Sequence, residues 1–229
     1  MNTKAQTFIM DAPAPWTLRG RGYICILRAP AQLLDDGRFL PPSLQGRRAA
    51  SRFCYLMLVD YSHSPVGPYH ELLFIPGTFP FEDGRNHLSI SRIFVSSLDS
   101  VVNGRRNWGI PKELAQFDVR HGEQGLDRVR VSRDGSTFAE LDFASWPVSL
   151  PFTTAILPRQ WTTLGQHHDG QSYLYRPTAR GWVRPASLRR ARFDAAVFPD
   201  LELARPLLTI GVTRFSMTFH EATMHPVAG

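Results

Sequence analysis

The chain has 229 residues, of which 43% are hydrophobic and 11% aromatic, and it carries a formal net charge of +6. No stretch approaches the roughly 18 consecutive apolar residues of a membrane-spanning helix, and residues 1–16 lack the apolar run of a signal peptide, so we expect a globular cytoplasmic protein. The positive charge is spread from Arg19 to Arg214, which argues against a dedicated nucleic-acid-binding module.

The first half of the chain is rich in β-branched and aromatic residues. Residues 1–15 are predicted to form a flexible N-terminal tail. Strands are then predicted over Gly22–Arg28, Phe53–Tyr61, His70–Gly77 and His87–Val95. Cys25 and Cys54 lie in the first two of these strands without further cysteines, which disfavours a disulfide framework and a structural zinc site.

The second half contains the only helical patterns and further strands. Short helices are predicted over Leu98–Arg106 and over Pro111–Phe117, the latter because proline favours the first turn of a helix. Asp134-Gly135 favours a tight turn, which predicts a hairpin of Asp127–Arg133 with Ser136–Phe143, and a last strand is predicted within Leu207–His220.

These elements predict one mainly β domain over residues 1–229, of the α+β type with few short helices. No repeat, charge block or low-complexity linker divides the chain. We expect the antiparallel sheet to be curled or closed like a β-barrel, because an open sheet of so many strands leaves unpaired edges.

A basic stretch and two histidine clusters are the remaining candidates for ligand binding. Arginines are densest between Arg176 and Arg192, a pattern that fits a phosphate backbone, but no recognised module accompanies it. His220 and His225 are one residue too far apart for the HExxH arrangement, and His167-His168-Asp169 is typical of a solvated loop. We therefore predict no metal, no cofactor, no nucleic-acid partner and no membrane partner.

The lysine content carries more information than the net charge. Of 26 basic residues only Lys4 and Lys112 are lysines. An amine can lose its proton and attack a carbonyl, whereas a guanidinium cannot. Lys112 is therefore a candidate reactive amine, with a lysine retained for a packed ion pair as the alternative.

The segment GRRNWGIPKELAQF at Gly104–Phe117, together with PVGPYHE at Pro65–Glu71 and GRGYICILR at Gly20–Arg28, resembles the acetoacetate decarboxylase family. The three segments occur in the order in which that family carries an arginine, a glutamate and a Schiff-base lysine. The resemblance covers about Arg19 to Phe117. It implies the acetoacetate decarboxylase type of fold, a homo-oligomeric assembly and a small keto acid substrate.

The resemblance implies three catalytic residues. Lys112 is the imine-forming lysine, Glu71 positions water or passes protons, and Arg21 holds the substrate carboxylate. An apolar wall that disfavours the ammonium form is expected from Tyr69, Phe94, Trp108 and Ile110. Glu113 is assigned to substrate binding together with these four residues.

One residue departs from the family pattern. In the decarboxylases a second lysine follows the reactive one, whereas Glu113 follows Lys112 here. An anion in the same pocket raises the pKa of an amine, although adjacent residues of a strand or helix point in different directions. The expected activity is a Schiff-base lyase acting on a β-keto or α-keto acid, with decarboxylation as the default. An aldolase or dehydratase and a non-catalytic ligand-binding β domain remain alternatives.

Overall fold

The computed structural model describes residues 8–227 of the chain. Within them the helices are short: α1 (Ala31–Leu34), α2 (Leu98–Trp108) and α3 (Arg159–Thr162), with one-turn 3-10 helices at Pro42–Leu44, Glu123–Gly125, Thr154–Ile156 and Leu201–Leu203. The strands are β1 (Trp16–Arg28), β2 (Phe53–His63), β3 (Tyr69–Ile75), β4 (Thr78–Pro80), β5 (Asn86–Leu88), β6 (Arg92–Val95), β7 (Lys112–Leu114), β8 (Gln116–His121), β9 (Leu126–Arg133), β10 (Ser136–Ser145), β11 (Leu150–Thr153), β12 (Leu164–His168), β13 (Gln171–Tyr175), β14 (Thr178–Phe193), β15 (Arg205–Phe219) and β16 (Thr223–Pro226).

The strands form two sheets. The large sheet has the order β7-β6-β3-β2-β1-β15-β14-β10-β9-β8, with β11 paired to β14. The small sheet has the order β16-β13-β12-β5-β4. Most neighbours are antiparallel, but β6 pairs with β7 and β5 pairs with β12 in parallel.

The two faces of the large sheet carry separate hydrophobic clusters. On the concave face, Leu72 and Phe94 pack in one cluster with Leu141 and Phe143, although their strands are far apart in the sheet order. The sheet must therefore be strongly curled around this cluster. On the convex face, side chains of β2, β3 and β6 pack with α2 and β13: the cluster includes Tyr61, Tyr69, Leu73, Ile93, Val95, Val101, Trp108, Ile110, Tyr173 and Tyr175.

The prediction of a mainly β domain is confirmed, and of the two predicted forms of the sheet, curled or closed, the closed one is wrong. Among the described residues no ladder joins β7 to β8 across the ends of the large sheet. The two end strands instead follow one another in the chain, separated by Ala115, whose N–H donates to the Val95 carbonyl at 2.9 Å. The sheet curls without lateral closure.

Several predicted elements were found and two were not. The structure confirms the predicted helix over Leu98–Arg106. It also confirms the hairpin, whose turn has φ values of +51° at Asp134 and +81° at Gly135. The helix over Pro111–Phe117 is wrong, because Lys112–Leu114 pairs with β6 and the chain then continues into β8. The strand His87–Val95 is divided between the two sheets as β5 and β6.

Part of the predicted tail contacts α2. The Met10 N–H donates to Asp99 Oδ1 at 2.9 Å, and the Ala12 N–H donates to Asn103 Oδ1 at 3.0 Å. The rest of that prediction, residues 1–7 with Lys4, lies outside the described residues. None of the described helices is long and apolar enough to cross a membrane.

Candidate active site

Lys112 lies buried on the convex face of the large sheet. Its side chain is only 5% exposed, and its Nζ donates to Glu71 Oε2 at 2.9 Å, to Ser100 Oγ at 3.0 Å and to Tyr69 Oη at 3.4 Å. The ammonium also lies 5.2 Å from the centre of the Tyr69 ring. All three hydrogen-bonding directions of an ammonium group are thus occupied.

Glu71 is held by a second partner in addition to the lysine. Its side chain is 6% exposed, and the Tyr61 hydroxyl donates to Oε1 at 3.3 Å. The Tyr61 and Tyr69 rings lie 4.6 Å apart. Both carboxylate oxygens therefore have donors, as a buried charge requires.

The path of the chain from α2 to β7 places Lys112 beside its partners. Ser97 caps α2 by accepting from the Ser100 N–H at 3.2 Å, and Gly109 ends the helix with a φ of +63°, a conformation that favours glycine. Three residues later Lys112 pairs in parallel with Ile93 of β6. Arg105 Nε donates to the Lys112 carbonyl at 3.0 Å, which joins the last turn of the helix to the strand.

Gly104 leaves room for the lysine side chain. A Cβ atom at this position would lie 2.7 Å from Lys112 Cδ and 2.9 Å from Cε. Ser100, Gly104 and Trp108 recur every four residues, and all three lie on the buried face of α2. The helix therefore meets Lys112 with a hydrogen bond acceptor at Ser100 and with open space at Gly104.

The ion pair opposes the effect of burial on the amine. Burial lowers the pKa of Lys112, but the Glu71 carboxylate and Tyr69 raise it by more, so that the pKa lies above its usual value. Because the folded pKa is raised, the pair stabilises the fold below the unfolded pKa of about 10.4, and this stabilisation is lost as pH rises through the folded pKa. Lys112 is therefore an ammonium group at neutral pH in the absence of a ligand.

The site tyrosines stay protonated. Burial raises the pKa of Tyr69, and Lys112 opposes this shift. Burial and the Glu71 carboxylate raise the pKa of Tyr61 well above its usual value. Both hydroxyls therefore act as neutral hydrogen-bonding groups around the ion pair.

Four of the predicted residues lie in the same buried region as Lys112. Glu71 and Tyr69 contact its amine, and the Ile110 carbonyl accepts from the Lys112 N–H at 2.8 Å. Trp108 belongs to the same hydrophobic cluster, and its Nε1 donates to the His220 carbonyl at 2.7 Å. The segments with the family resemblance around Glu71 and Lys112 thus converge in space.

Arg21 lies on the other face of the sheet. It is opposite Asp60 in the register of β1 and β2, and its Nε lies 3.2 Å from Asp60 Oδ2. Val59 is opposite Glu71 in the ladder and lies on the same face as Glu71. Asp60, the next residue of β2, therefore points to the other face. Arg21 also alternates with Tyr23 and Cys25 along β1, and both of these belong to the concave cluster. The predicted arginine is therefore separated from Lys112 by the sheet.

Phe94 and Glu113 also lie away from the lysine. Phe94 is fully buried in the concave cluster. Glu113 is opposite Phe94 in the parallel ladder, and it accepts from Arg92 Nη1 at 2.7 Å and Arg133 Nη1 at 2.6 Å. Successive residues of a strand point to opposite faces, so Glu113 has no contact with the Lys112 site.

Ser100, Tyr61 and Gly104 were not predicted as site residues. Ser100 and Gly104 had a readable signal, since they lie four residues apart on the face of the predicted helix that also carries Trp108. Tyr61 lies near the end of β2 in a run that is apolar on both faces, so nothing in the sequence indicates its contact with Glu71.

Residues 30–155 match the family model of acetoacetate decarboxylase. This segment contains Glu71 and Lys112 but not Arg21. No curated protein matches the sequence of this chain.

Several solved structures share the fold. Acetoacetate decarboxylase from Legionella pneumophila is 16% identical with a TM-score of 0.69, over 99% of this chain and 92% of that chain. The enduracididine biosynthesis enzyme MppR, complexed with pyruvate, is 16% identical with a TM-score of 0.63, over 97% and 94%. An acetoacetate decarboxylase-like enzyme from Sphingomonas wittichii is 13% identical with a TM-score of 0.66, over 99% and 100%.

Proposed function

The chain belongs to the acetoacetate decarboxylase family, and on this premise we propose that it is a Schiff-base-forming enzyme that decarboxylates a small keto acid through Lys112. The observation that carries the proposal is the buried pair of Lys112 and Glu71, whose charged atoms are 2.9 Å apart. An isolated amine and carboxyl pair of this kind provides both a nucleophile and a group that moves its proton.

The reaction begins with proton transfer within the pair. The Lys112 ammonium is no nucleophile, so its proton passes to Glu71, which leaves a neutral amine and a neutral carboxyl group. The amine attacks the ketone carbon and forms a carbinolamine. Glu71 then returns the proton to the carbinolamine hydroxyl, which leaves as water and gives the iminium.

Loss of carbon dioxide follows from the charge of the iminium. In a β-keto acid the electron pair of the bond between the α-carbon and the carboxylate moves towards the positively charged nitrogen, so that carbon dioxide leaves and an enamine remains. Protonation of the enamine carbon regenerates an iminium, and water then releases the ketone from Lys112. Tyr69 and Ser100, which contact Nζ, hold the nitrogen in place through these steps.

Trapping of the imine tests the proposal. The protein is incubated with acetoacetate, pyruvate or a longer keto acid and reduced with borohydride, and the modified residue is identified by mass spectrometry. We expect the mass of the reduced adduct on Lys112. Lys112→Met should abolish it, and Lys4→Arg, which changes the only other lysine, should leave it unchanged.

The pH dependence and the product sharpen the same experiment. The adduct should form faster as pH rises from 7 towards 10, because the pKa of Lys112 is raised and loss of its proton to solvent adds neutral amine to that formed by transfer to Glu71. Carbon dioxide release identifies the decarboxylase, and a condensation product with an added aldehyde identifies the aldolase alternative. No adduct with any keto acid contradicts imine chemistry at Lys112.

A second candidate function is ligand binding without turnover. It is favoured by the complete set of partners around the Lys112 ammonium, since an ion pair of this kind opposes nucleophilic attack. If the protein only binds its ligand, a keto acid should raise the melting temperature. Neither a trapped adduct nor a released product should then be found.

A further inference from the structure

Two buried polar side chains near the ion pair are unused by the mechanism above. Gln166 on β12 is 2% exposed and Tyr175 on β13 is 3% exposed. Within residues 8–227, neither Gln166 Nε2 nor Tyr175 Oη makes a hydrogen bond of good geometry, although the Gln166 side chain lies close enough to Tyr175 to lower the pKa of its hydroxyl. Buried donors without partners are rare and costly in native proteins, so a ligand or a water molecule is expected beside them.

The direction of both donors is fixed by their surroundings. The Ser89 hydroxyl donates to Gln166 Oε1 at 3.4 Å, which leaves the amide NH2 group free to donate elsewhere. The Tyr175 ring packs against Trp108 at 6.4 Å and Phe219 at 5.9 Å between ring centres. The two donors are therefore held in place before a ligand arrives.

The donors belong to the same buried region as the lysine. Tyr175 shares the convex cluster with Tyr69, Trp108 and Ile110. Leu164, opposite Tyr175 in the ladder, packs against this cluster and alternates with Gln166 on the same face of β12. Burial raises the pKa of Tyr175, the Gln166 side chain opposes this shift and the Glu71 carboxylate adds to it, so the hydroxyl remains protonated and can donate.

Resting on the proposed function, we propose that Gln166 and Tyr175 bind the carboxylate of the keto acid. A keto acid that reacts with Lys112 brings a carboxylate onto the convex face, whereas Arg21 lies on the other face of the sheet. Hydrogen bonds from Gln166 Nε2 and Tyr175 Oη satisfy the carboxylate without an ion pair. A carboxylate held by neutral donors in a buried site is less stabilised than one paired with a guanidinium, which favours its loss as carbon dioxide.

The test compares a keto acid with a ketone that lacks the carboxylate. Acetoacetate and acetone are titrated separately in the borohydride trapping experiment with the wild type, Tyr175→Phe and Gln166→Leu. Each variant should raise the acetoacetate concentration needed for half-maximal trapping about tenfold to a hundredfold, the usual effect of one hydrogen bond to a charged group. The acetone titration should change by less than about twofold, because acetone makes no such bond.

Two controls separate this role from a structural one. Tyr175→Phe removes an unpartnered hydroxyl, so the melting temperature should stay the same or rise. Tyr55→Phe removes a hydroxyl from a residue that packs against the same cluster and should leave both titrations unchanged. Binding of 3-hydroxybutyrate, which has the carboxylate but no ketone, should weaken in the two variants even if no imine forms.

The outcomes distinguish the two proposals. If the wild type forms the Lys112 adduct and both variants keep its preference for acetoacetate over acetone, the carboxylate assignment is wrong and the imine chemistry stands. If the wild type forms no adduct but binds 3-hydroxybutyrate through both residues, the carboxylate site stands without the imine. Equal binding of 3-hydroxybutyrate by wild type and variants indicates that only water occupies the donors and overturns the assignment.

Discussion

Two charged clusters lie on opposite faces of the large sheet and differ in burial and in partners. On the convex face, Lys112 and Glu71 are almost fully buried. On the concave face, Asp60 contacts Arg21 at 3.2 Å, His121 at 3.2 Å and His70 at 3.5 Å. The second cluster lines a cavity of about 340 Å³, and the Arg21 side chain is 45% exposed.

The difference shows which charges the fold depends on. A half-exposed ion pair is screened by water and contributes little, whereas a buried charge that loses its partner is strongly destabilising. Both clusters contain basic and acidic residues that sequence motifs single out. Only the buried pair combines a large energetic cost with a group that can form an imine.

The largest expected effect comes from breaking the buried pair. Lys112→Met leaves Glu71 buried without its cation and should reduce the free energy of unfolding by about 3–5 kcal/mol at neutral pH. Urea denaturation of the variant and the wild type at neutral pH measures the difference.

A double variant provides the control for the buried pair. Lys112→Met combined with Glu71→Met replaces both charges by apolar side chains and should recover most of the stability, because no charge is left unpaired. If the single variant is as stable as the wild type, the pair does not carry the energy assigned to it.

A smaller effect is expected at Glu113, the neighbour of Lys112 on the opposite face. Glu113→Lys places a third cation beside Arg92 and Arg133 and should lower the free energy of unfolding by about 1–2 kcal/mol. Trapping at Lys112 and carbon dioxide release should not increase, since the new amine points away from the site. Glu113→Gln, which removes the charge without reversing it, should cost less; a gain of activity in Glu113→Lys contradicts the separation of the two faces.

The smallest effect is expected at Arg21. Arg21→Ala should change the free energy of unfolding by less than about 1 kcal/mol, because its pair with Asp60 is half-exposed. Imine trapping should be unchanged within about twofold, since the sheet separates Arg21 from Lys112. Asp60→Asn, which disturbs three contacts, should destabilise the protein more. Loss of trapping in Arg21→Ala shows instead that the arginine reaches the substrate.

Local patterns predicted those parts of the fold that depend on neighbouring residues. The Asp134-Gly135 turn satisfies its own backbone requirement, so sequence alone indicates it. The Pro111–Phe117 prediction is wrong because proline in an extended segment resembles proline in a first helical turn. Pairing with β6, a distant part of the chain, decides between the two.

The site was predicted where its residues alternate on one strand or match the family motif. Tyr69 and Glu71 lie two residues apart on β3 and therefore share a face. Arg21 was misplaced because its assignment came from the family resemblance, whereas alternation with Tyr23 and Cys25 on β1 puts it on the concave face. Gln166 and Tyr175 come from the small sheet, and only the packing of that sheet on α2 brings them near Lys112.

The short connection from Gly109 to Pro111 decides which chemistry each face receives. Lys112 and Glu113 are neighbours whose side chains point to opposite faces of β7. Insertion of one residue before Lys112 within the same ladder would move the amine to the position of Glu113 beside Arg92, and would move the carboxylate to the position of Leu114. Changes of loop length by a single residue should therefore be more damaging here than most substitutions. A shift of two residues restores the face but still moves the amine about 7 Å along the strand.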